Sequence, residues 1–255
     1  MNGVALVTGG RRGIGRAIAL ALAREGFAVA VNAEVDAPDL HATVDDVQAL
    51  GVPAMPVVLD VADVAGHEAV LALIEAELGP LTTLINNAGV GALHRGDPLD
   101  VSPESFDRCL AINARAPFFL GQAFAKRLLA RARAPEQHHC IVTITSANAV
   151  AVALNRAEYA ISKAAASMAT RSLAARLGAE GINVYEVQPG VIATDMTAPA
   201  LAAYAARIEQ GFTLTRRVGQ PEDVAEVVAL LATGRLAYCT GQAIPVDGGL
   251  SVARF

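Results

Sequence analysis

Seven short runs rich in Val, Ile, Leu, Ala and Thr recur along this chain, separated by longer amphipathic stretches. The runs are VALVTG (4–9), AVAVN (28–32), AMPVVLDV (54–61), TTLINNAG (82–89), CIVTITS (140–146), INVYEVQPG (182–190) and QAIPVD (242–247). Half-buried strands would alternate apolar and polar residues. Near-continuous apolar, β-branched character belongs to strands covered on both faces, and so to a parallel sheet. The stretches 12–25, 38–50, 64–78, 103–130, 157–179 and 221–233 read as helices, with Gly26, Gly51, Gly79 and Gly181 at helix-stop positions. This alternation predicts an α/β fold: one doubly wound open sheet, mainly parallel and seven-stranded, flanked by helices. Right-handed crossovers put every strand C-terminus on one edge, where such sheets bind ligands. Residues 1–255 are expected to form a single domain. The segment 191–220, with Pro199 and polar turns, is expected as a loop acting as a lid over that edge, and ARAPEQHH (132–139) as a surface loop.

Composition narrows the partners. With 53% hydrophobic and 18% charged residues the chain can bury a large core and is not disordered. A net charge of −5 argues against nucleic acid and anionic membrane surfaces as partners. No apolar run approaches the roughly 18 residues that span a bilayer, and the first residues read as a strand, not a signal peptide. Cys109, Cys140 and Cys239 are widely spaced and form no C-x-x-C, which fits reduced core thiols in a cytoplasmic protein. His138 and His139 beside Cys140 are the only clustered metal-ligand types; a polar loop edge accounts for them, and no metal is expected.

The first strand runs into TGGRRGIGRAIALALAREG (8–26). Gly9, Gly13 and Gly15 let a backbone turn tightly and approach a diphosphate, and the following helix offers free N–H groups and the positive end of its dipole. Taken alone, the G-x3-G-x-G spacing also fits a plain strand–helix turn. A second feature points to chemistry. In YAISK (159–163), Tyr159 and Lys163 share a helix face at i, i+4. A free phenol titrates near ~10 and exchanges protons poorly at neutral pH. A neighbouring ammonium favours the phenolate, so the spacing suits a general acid–base. Ser146 ends a strand 13 residues earlier, where its hydroxyl can bond a substrate oxygen as charge builds on it. Thr145 carries a hydroxyl too.

Together these motifs resemble the classical short-chain dehydrogenase/reductase family, with its single Rossmann-type domain. The match runs in order through TGGRRGIG, LDV (59–61), NNAG (86–89), AIN (111–113), Ser146, Tyr159 with Lys163, PGVIAT (189–194) and GQAIPVDGG (241–249). Length and tail are most similar to the β-ketoacyl-carrier-protein reductase branch. The resemblance implies that Asn113 is a fourth catalytic residue, holding a water that connects Lys163 to solvent. It implies nucleotide contacts from Gly9, Arg11, Arg12, Gly13, Ile14 and Gly15. Asp60 would bond the adenine and Val61 would lend its backbone. Asn87, Ala88 and Gly89 would lie along the inner ribose, with Tyr159 and Lys163 beyond. Pro189, Gly190, Ile192 and Thr194 would flank the nicotinamide.

The cofactor, NADP or NAD, stays open. Arg12 suits a 2′-phosphate, whereas Glu34, just past Ala33 at the usual acidic position and followed by Asp36, suits a ribose diol. The expected reaction is hydride transfer to a carbonyl, with a 3-oxoacyl thioester as first choice. A sugar, polyol or other secondary-alcohol dehydrogenase is the alternative. A catalytically silent nucleotide-binding regulator would be expected to lack the Ser, Tyr or Lys. An extended-branch epimerase would need a larger domain after the last strand. The substrate pocket is expected from Leu93, His94, 148–150, 154–156 and 191–215, with His94 and Arg156 as the candidate polar handles; Arg156 could meet an acidic group, but a solvent-facing position is preferred for it. The basic run Lys126, Arg127, Arg131 and Arg133 reads as a solvated face, or as a dock for an acyl-carrier protein. A homotetramer, paired through 103–130 and 157–179, is implied by the resemblance.

Overall fold

The computed structural model describes residues 2–134 and 136–254. Within the expected loop at 132–139, Pro135 lies outside the described residues. All seven expected strands form: β1 (Gly3–Val7), β2 (Phe27–Ala33), β3 (Ala54–Val58), β4 (Leu81–Asn86), β5 (Cys140–Ile144), β6 (Asn183–Pro189) and β7 (Ala243–Val246). They make one sheet in the order β3-β2-β1-β4-β5-β6-β7, every pair parallel. Every residue of β1, β2, β4 and β5 is buried, while the edge strands β3 and β7 are partly exposed. That gradient is why the central runs lack alternation: both their faces are covered.

The cover comes in two layers. One face packs α1 (Gly13–Arg24), α2 (Pro38–Gln48) and α8 (Pro221–Ala232) around Val7, Val29, Val142 and Val187. The other packs α3 (His67–Leu78), α5 (Ala116–Leu129) and α6 (Ala157–Leu177) around Leu6, Leu84, Ile141 and Val184. The chain winds outward in both directions from β1, so β1 and β4 part at their carboxyl ends and leave a crevice. Several strands stop earlier than expected. Residues 59–61 and 87–89 leave the sheet and become the loops that rim this crevice.

Three expectations change. The single helix over 103–130 is broken into α4 (Pro103–Leu110), a π turn (Ala111–Arg115) and α5. Pro117 has no N–H to return to the Asn113 carbonyl four residues back, so the α ladder cannot run through. The segment 191–220 contains a helix, α7 (Leu201–Glu209), preceded by a short 3₁₀ turn (Ala198–Ala200). Pro199 there sits in the first turn, where a proline is tolerated, rather than breaking a helix. His138 and His139 are not at a polar edge. The His138 ring packs on Gly234 and bonds the Leu231 carbonyl at 3.1 Å, and His139 is buried; burial lowers both imidazole pKa values. Among the described residues no cluster of His, Cys, Asp and Glu could hold a metal ion. Nor is any described helix long and apolar enough to cross a membrane.

Candidate active site

The crevice is a cleft of about 760 Å³ at the carboxyl edge. It is lined by the glycine loop, the ends of β2, β3 and β4, Ser146, Tyr159, Lys163 and the start of the 191–220 segment. Every residue expected to contact nucleotide lies on this one cleft, from Gly9, Arg11, Arg12, Gly13, Ile14 and Gly15 through Asp60, Val61, Asn87, Ala88 and Gly89 to Pro189, Gly190, Ile192 and Thr194. Of the expected catalytic residues only Asn113 does not line it. Asn113 is 2% exposed, directly behind Gly89.

The glycine loop fits a dinucleotide by what it lacks. A Cβ on Gly15 would meet the Gly9 carbonyl oxygen at 2.2 Å, and one on Gly9, at φ +60°, would lie 2.9 Å from Ala88 Cα. No side chain caps α1 and no acidic residue stands in its first turn, so its N–H groups face the cleft unopposed. The loop is braced from beneath. Asn87 Nδ2 donates to the carbonyls of Thr8 (2.9 Å) and Gly9 (3.1 Å). The backbone N–H groups of Asn87 and Ala88 donate to Thr8 Oγ1 at 2.9 and 3.0 Å. The Asn87 amide therefore secures the loop rather than reaching across the cleft. Asn32 does similar work and was not foreseen: its Nδ2 donates to Val57 O (3.1 Å) and Leu59 O (3.0 Å), fixing the ends of β2 and β3. A polar residue inside the apolar run AVAVN was the available signal.

Around the glycine loop and the end of β2 the charges are already paired. Arg11 lies 3.0 Å from Glu34 and 3.7 Å from Asp39, while Arg12 meets Asp195 at 3.1 Å. Asp36 pairs with His41 (2.6 Å) and does not line the cleft. Asp60 accepts the Ala62 N–H at 2.9 Å.

At the other end stand the residues expected to do acid–base work. Thr145 lines the cleft too, but its hydroxyl is committed to Glu186 at 2.6 Å, which leaves Ser146 as the free strand-end hydroxyl there. Ser146 Oγ accepts the Asn148 N–H at 3.1 Å and keeps its own proton to donate. Burial pushes the Tyr159 phenol's pKa up, against the Ser146 hydroxyl and the Arg156 charge, which both favour the anion. The expected lowering by Lys163 is not met in the protein alone. Lys163 Nζ donates to the Ile144 carbonyl at 3.0 Å and lies 5.8 Å from the Tyr159 ring centre. Burial instead acts on the lysine, bringing its pKa down to about 8. The Asn113 side chain bridges elements: Oδ1 accepts the Val90 N–H (2.8 Å), and Nδ2 donates to Val90 O and Ser162 Oγ, each at 2.9 Å. It braces the π turn against α6, and Pro117 has no N–H to offer the Asn113 backbone carbonyl.

Arg156, expected in solvent, is half-buried. It donates to Asn148 Oδ1 (3.0 and 3.2 Å), Asn155 Oδ1 (3.2 Å) and, on α7, Tyr204 OH (3.2 Å). In the basic run at the end of α5 only Lys126 is exposed; the arginines are not a solvated face. Arg127 and Arg131 both bind Glu75, and Arg133 donates to Glu180 O at 2.7 Å.

A parallel sheet with a glycine cradle at its switch point and a Ser–Tyr–Lys cluster beside it defines a nicotinamide-dependent oxidoreductase. A family model described as enoyl-(acyl carrier protein) reductase matches residues 9–251, and the chain belongs to the short-chain dehydrogenase/reductase family, NAD(P)-dependent enzymes acting on CH–OH and carbonyl groups. It is similar to a 3-oxoacyl-[acyl-carrier protein] reductase of Brucella melitensis solved in complex with NAD, with TM-score 0.95 and 42% identity, covering 99% of this chain and 98% of that one. A 3-oxoacyl-[acyl-carrier-protein] reductase of Staphylococcus aureus is 32% identical over 250 residues, 98% of each chain. Gluconate 5-dehydrogenase of Gluconobacter oxydans is 33% identical over 257 residues, 98% of this chain and 94% of that one.

Proposed function

We propose that this protein reduces the ketone of a 3-oxoacyl thioester, with the reverse oxidation open to the same groups. The observation that supports this is the convergence of Ser146, Tyr159 and Lys163 on one wall of the cleft whose far end is the glycine cradle. The Brucella and Staphylococcus relatives support the substrate class. When bound, the nicotinamide supplies hydride. Ser146 donates a hydrogen bond to the carbonyl oxygen, strongest as negative charge gathers there. Tyr159 gives that oxygen its proton, and its raised pKa keeps it protonated until the oxygen becomes basic. Lys163 then favours the phenolate left behind. The Asn113 carbonyl, to which Pro117 can give no N–H, takes the water through which the proton returns.

The test is turnover of an acetoacetyl thioester against a polyol and sugar-acid panel, with NADH and NADPH in turn. Tyr159→Phe is expected to lower kcat by roughly 10²–10⁴-fold and leave nucleotide affinity unchanged. Undiminished turnover in that variant overturns the acid assignment.

One observation favours a second reading, oxidation of a sugar acid. The Arg156 guanidinium sits near the phenol with amide and hydroxyl partners but no carboxylate among the described residues. A substrate carboxylate would complete it, and gluconate 5-dehydrogenase is among the relatives. A preference for gluconate-type substrates over the thioester would establish this reading. The segment 191–220 is the lid in either case; the Arg12–Asp195 pair ties it to the glycine loop and Arg156–Tyr204 ties it to the substrate side. Docking of a carrier protein on the α5 arginines is not part of the proposal, because three of the four basic residues are engaged internally. The expected assembly is a cytoplasmic homotetramer.

A further inference from the structure

β6 carries a carboxylate where its neighbours are apolar. Glu186 is 1% exposed, between Tyr185 and Val187 at 0%. Side chains alternate along a strand, so Glu186 and Gln188 share the face of Val184, toward α5 and α6. Moving a carboxylate from water into such a place is unfavourable unless hydrogen bonds compensate. Three donors do so. Thr145 Oγ1 (2.6 Å) and Gln188 Nε2 (2.8 Å) reach Oε1, and Ser167 Oγ (2.7 Å) reaches Oε2. A valine here would fill the face without any of this.

The partners show what the charge is near. Thr145 stands between Ser146 and Ile144, whose carbonyl accepts Lys163 Nζ. Ser167 lies one helical turn beyond Lys163 on α6. The carboxylate thus joins the end of β5 to the turn of α6 that carries the buried ammonium. We propose that Glu186 is a positioning residue, a buried counter-charge that keeps Lys163 protonated and holds the end of β5 against the Lys163–Ser167 turn of α6, the helix that also carries Tyr159.

The other groups around Lys163 do not supply that charge. Tyr159, on the same helix, is held as a neutral phenol by burial. Cys109, on α4, also favours the ammonium when ionised, but burial and the Glu158 charge push its own pKa up against the opposing charges of Arg108 and Lys163, so it stays a thiol. Ser146 and Asn113 are uncharged. Burial drives the Lys163 pKa down to about 8, and the Glu186 charge opposes that drop.

The inference rests on Lys163 as the partner of the acid, but its test needs no substrate. Lys126 and Lys163 are the only lysines in the chain, and Lys126 is exposed on α5. Lysine-labelled protein therefore gives two side-chain NMR titrations, one of them an internal control. In Glu186→Gln the Lys163 midpoint is expected to fall by about one pH unit, a tenfold loss of proton affinity, with Lys126 unmoved. Glu186→Asp, which keeps the charge, is expected to restore most of the shift. The alkaline limb of kcat/KM should move with the midpoint. If Glu186→Gln does not fold, Glu186→Val with Gln188→Val removes the acceptor and the amide donor, leaving only the small Thr145 and Ser167 hydroxyls, and is read the same way. A folded variant without the carboxylate and with an unmoved Lys163 midpoint overturns the proposal, while leaving the reductase reading to its own turnover assay.

Discussion

Arg11 is 16% exposed and shared between Glu34 and Asp39, so what it can bind depends on what its carboxylate partners leave free. Glu34 lines the cleft beside it and repels a second negative group. Glu34→Ala is expected to remove that repulsion and release a guanidinium for a 2′-phosphate. The ratio of NADPH to NADH affinity should rise about tenfold, which corresponds to ~1.4 kcal/mol; parallel fluorescence titrations measure it, and an unchanged ratio places the 2′ position elsewhere. At this scale the sequence was informative about identity and less so about orientation. Tyr159, Lys163 and Ser146 were legible because each residue type has a chemical reason at its spacing. That the Thr145 hydroxyl is committed to Glu186, that Asn87 braces the loop and that Arg156 reaches Tyr204 depend on partners 41 to 79 residues away.

Elements were legible where their period was strong. The seven strands and five of the six helical stretches stand within a few residues of expectation, while the break in 103–130 at the π turn, and α7, were not expected. A proline inside a helical pattern signals a disturbance but not its form. α8 shows how a terminus is built. Asp223 accepts the Gln220 N–H (2.7 Å) in a capping box and two bonds from Arg217 (2.6 and 2.7 Å). The Arg217 hydrogen bond leads in holding the Asp223 pKa down, to about 2 from 3.8. A depressed carboxylate stabilises the fold above its unfolded pKa, and this is lost as pH falls from about 3.8 toward 2. The pair is half-exposed, so Asp223→Asn should cost only about 0.5–1 kcal/mol near neutral pH. Urea midpoints of the two proteins should converge across that acid window; a gap that stays constant would assign the effect to shape alone.

For the whole molecule, the sheet order places every functional loop on one edge, and the outer surface then shows what the fold leaves uncovered. Ile161 (48% exposed) and Met168 (60%) stand two turns apart on the outer face of α6, among alanines. Such a stripe on a 21-residue helix suits the two-fold pairing of subunits expected for this assembly. Met168→Glu should place like charges across that axis and convert a tetramer to a smaller species. Light scattering after gel filtration reads the mass, and an unaltered mass would move the interface off α6.

The sequence by itself determined the class of fold, the sheet edge that carries the site, and the residues whose chemistry is local in origin: glycines before a helix, a phenol and an amine one turn apart. These follow from backbone sterics and periodicity, which act over a few residues. Only the tertiary structure decided which strand-end hydroxyl stays free at the cleft, which arginines are already paired, and that a carboxylate from β6 takes hydrogen bonds from Thr145 and from Ser167, one turn beyond Lys163. Burial and through-space charge set those outcomes, and both are properties of neighbours that the chain brings together only when it folds.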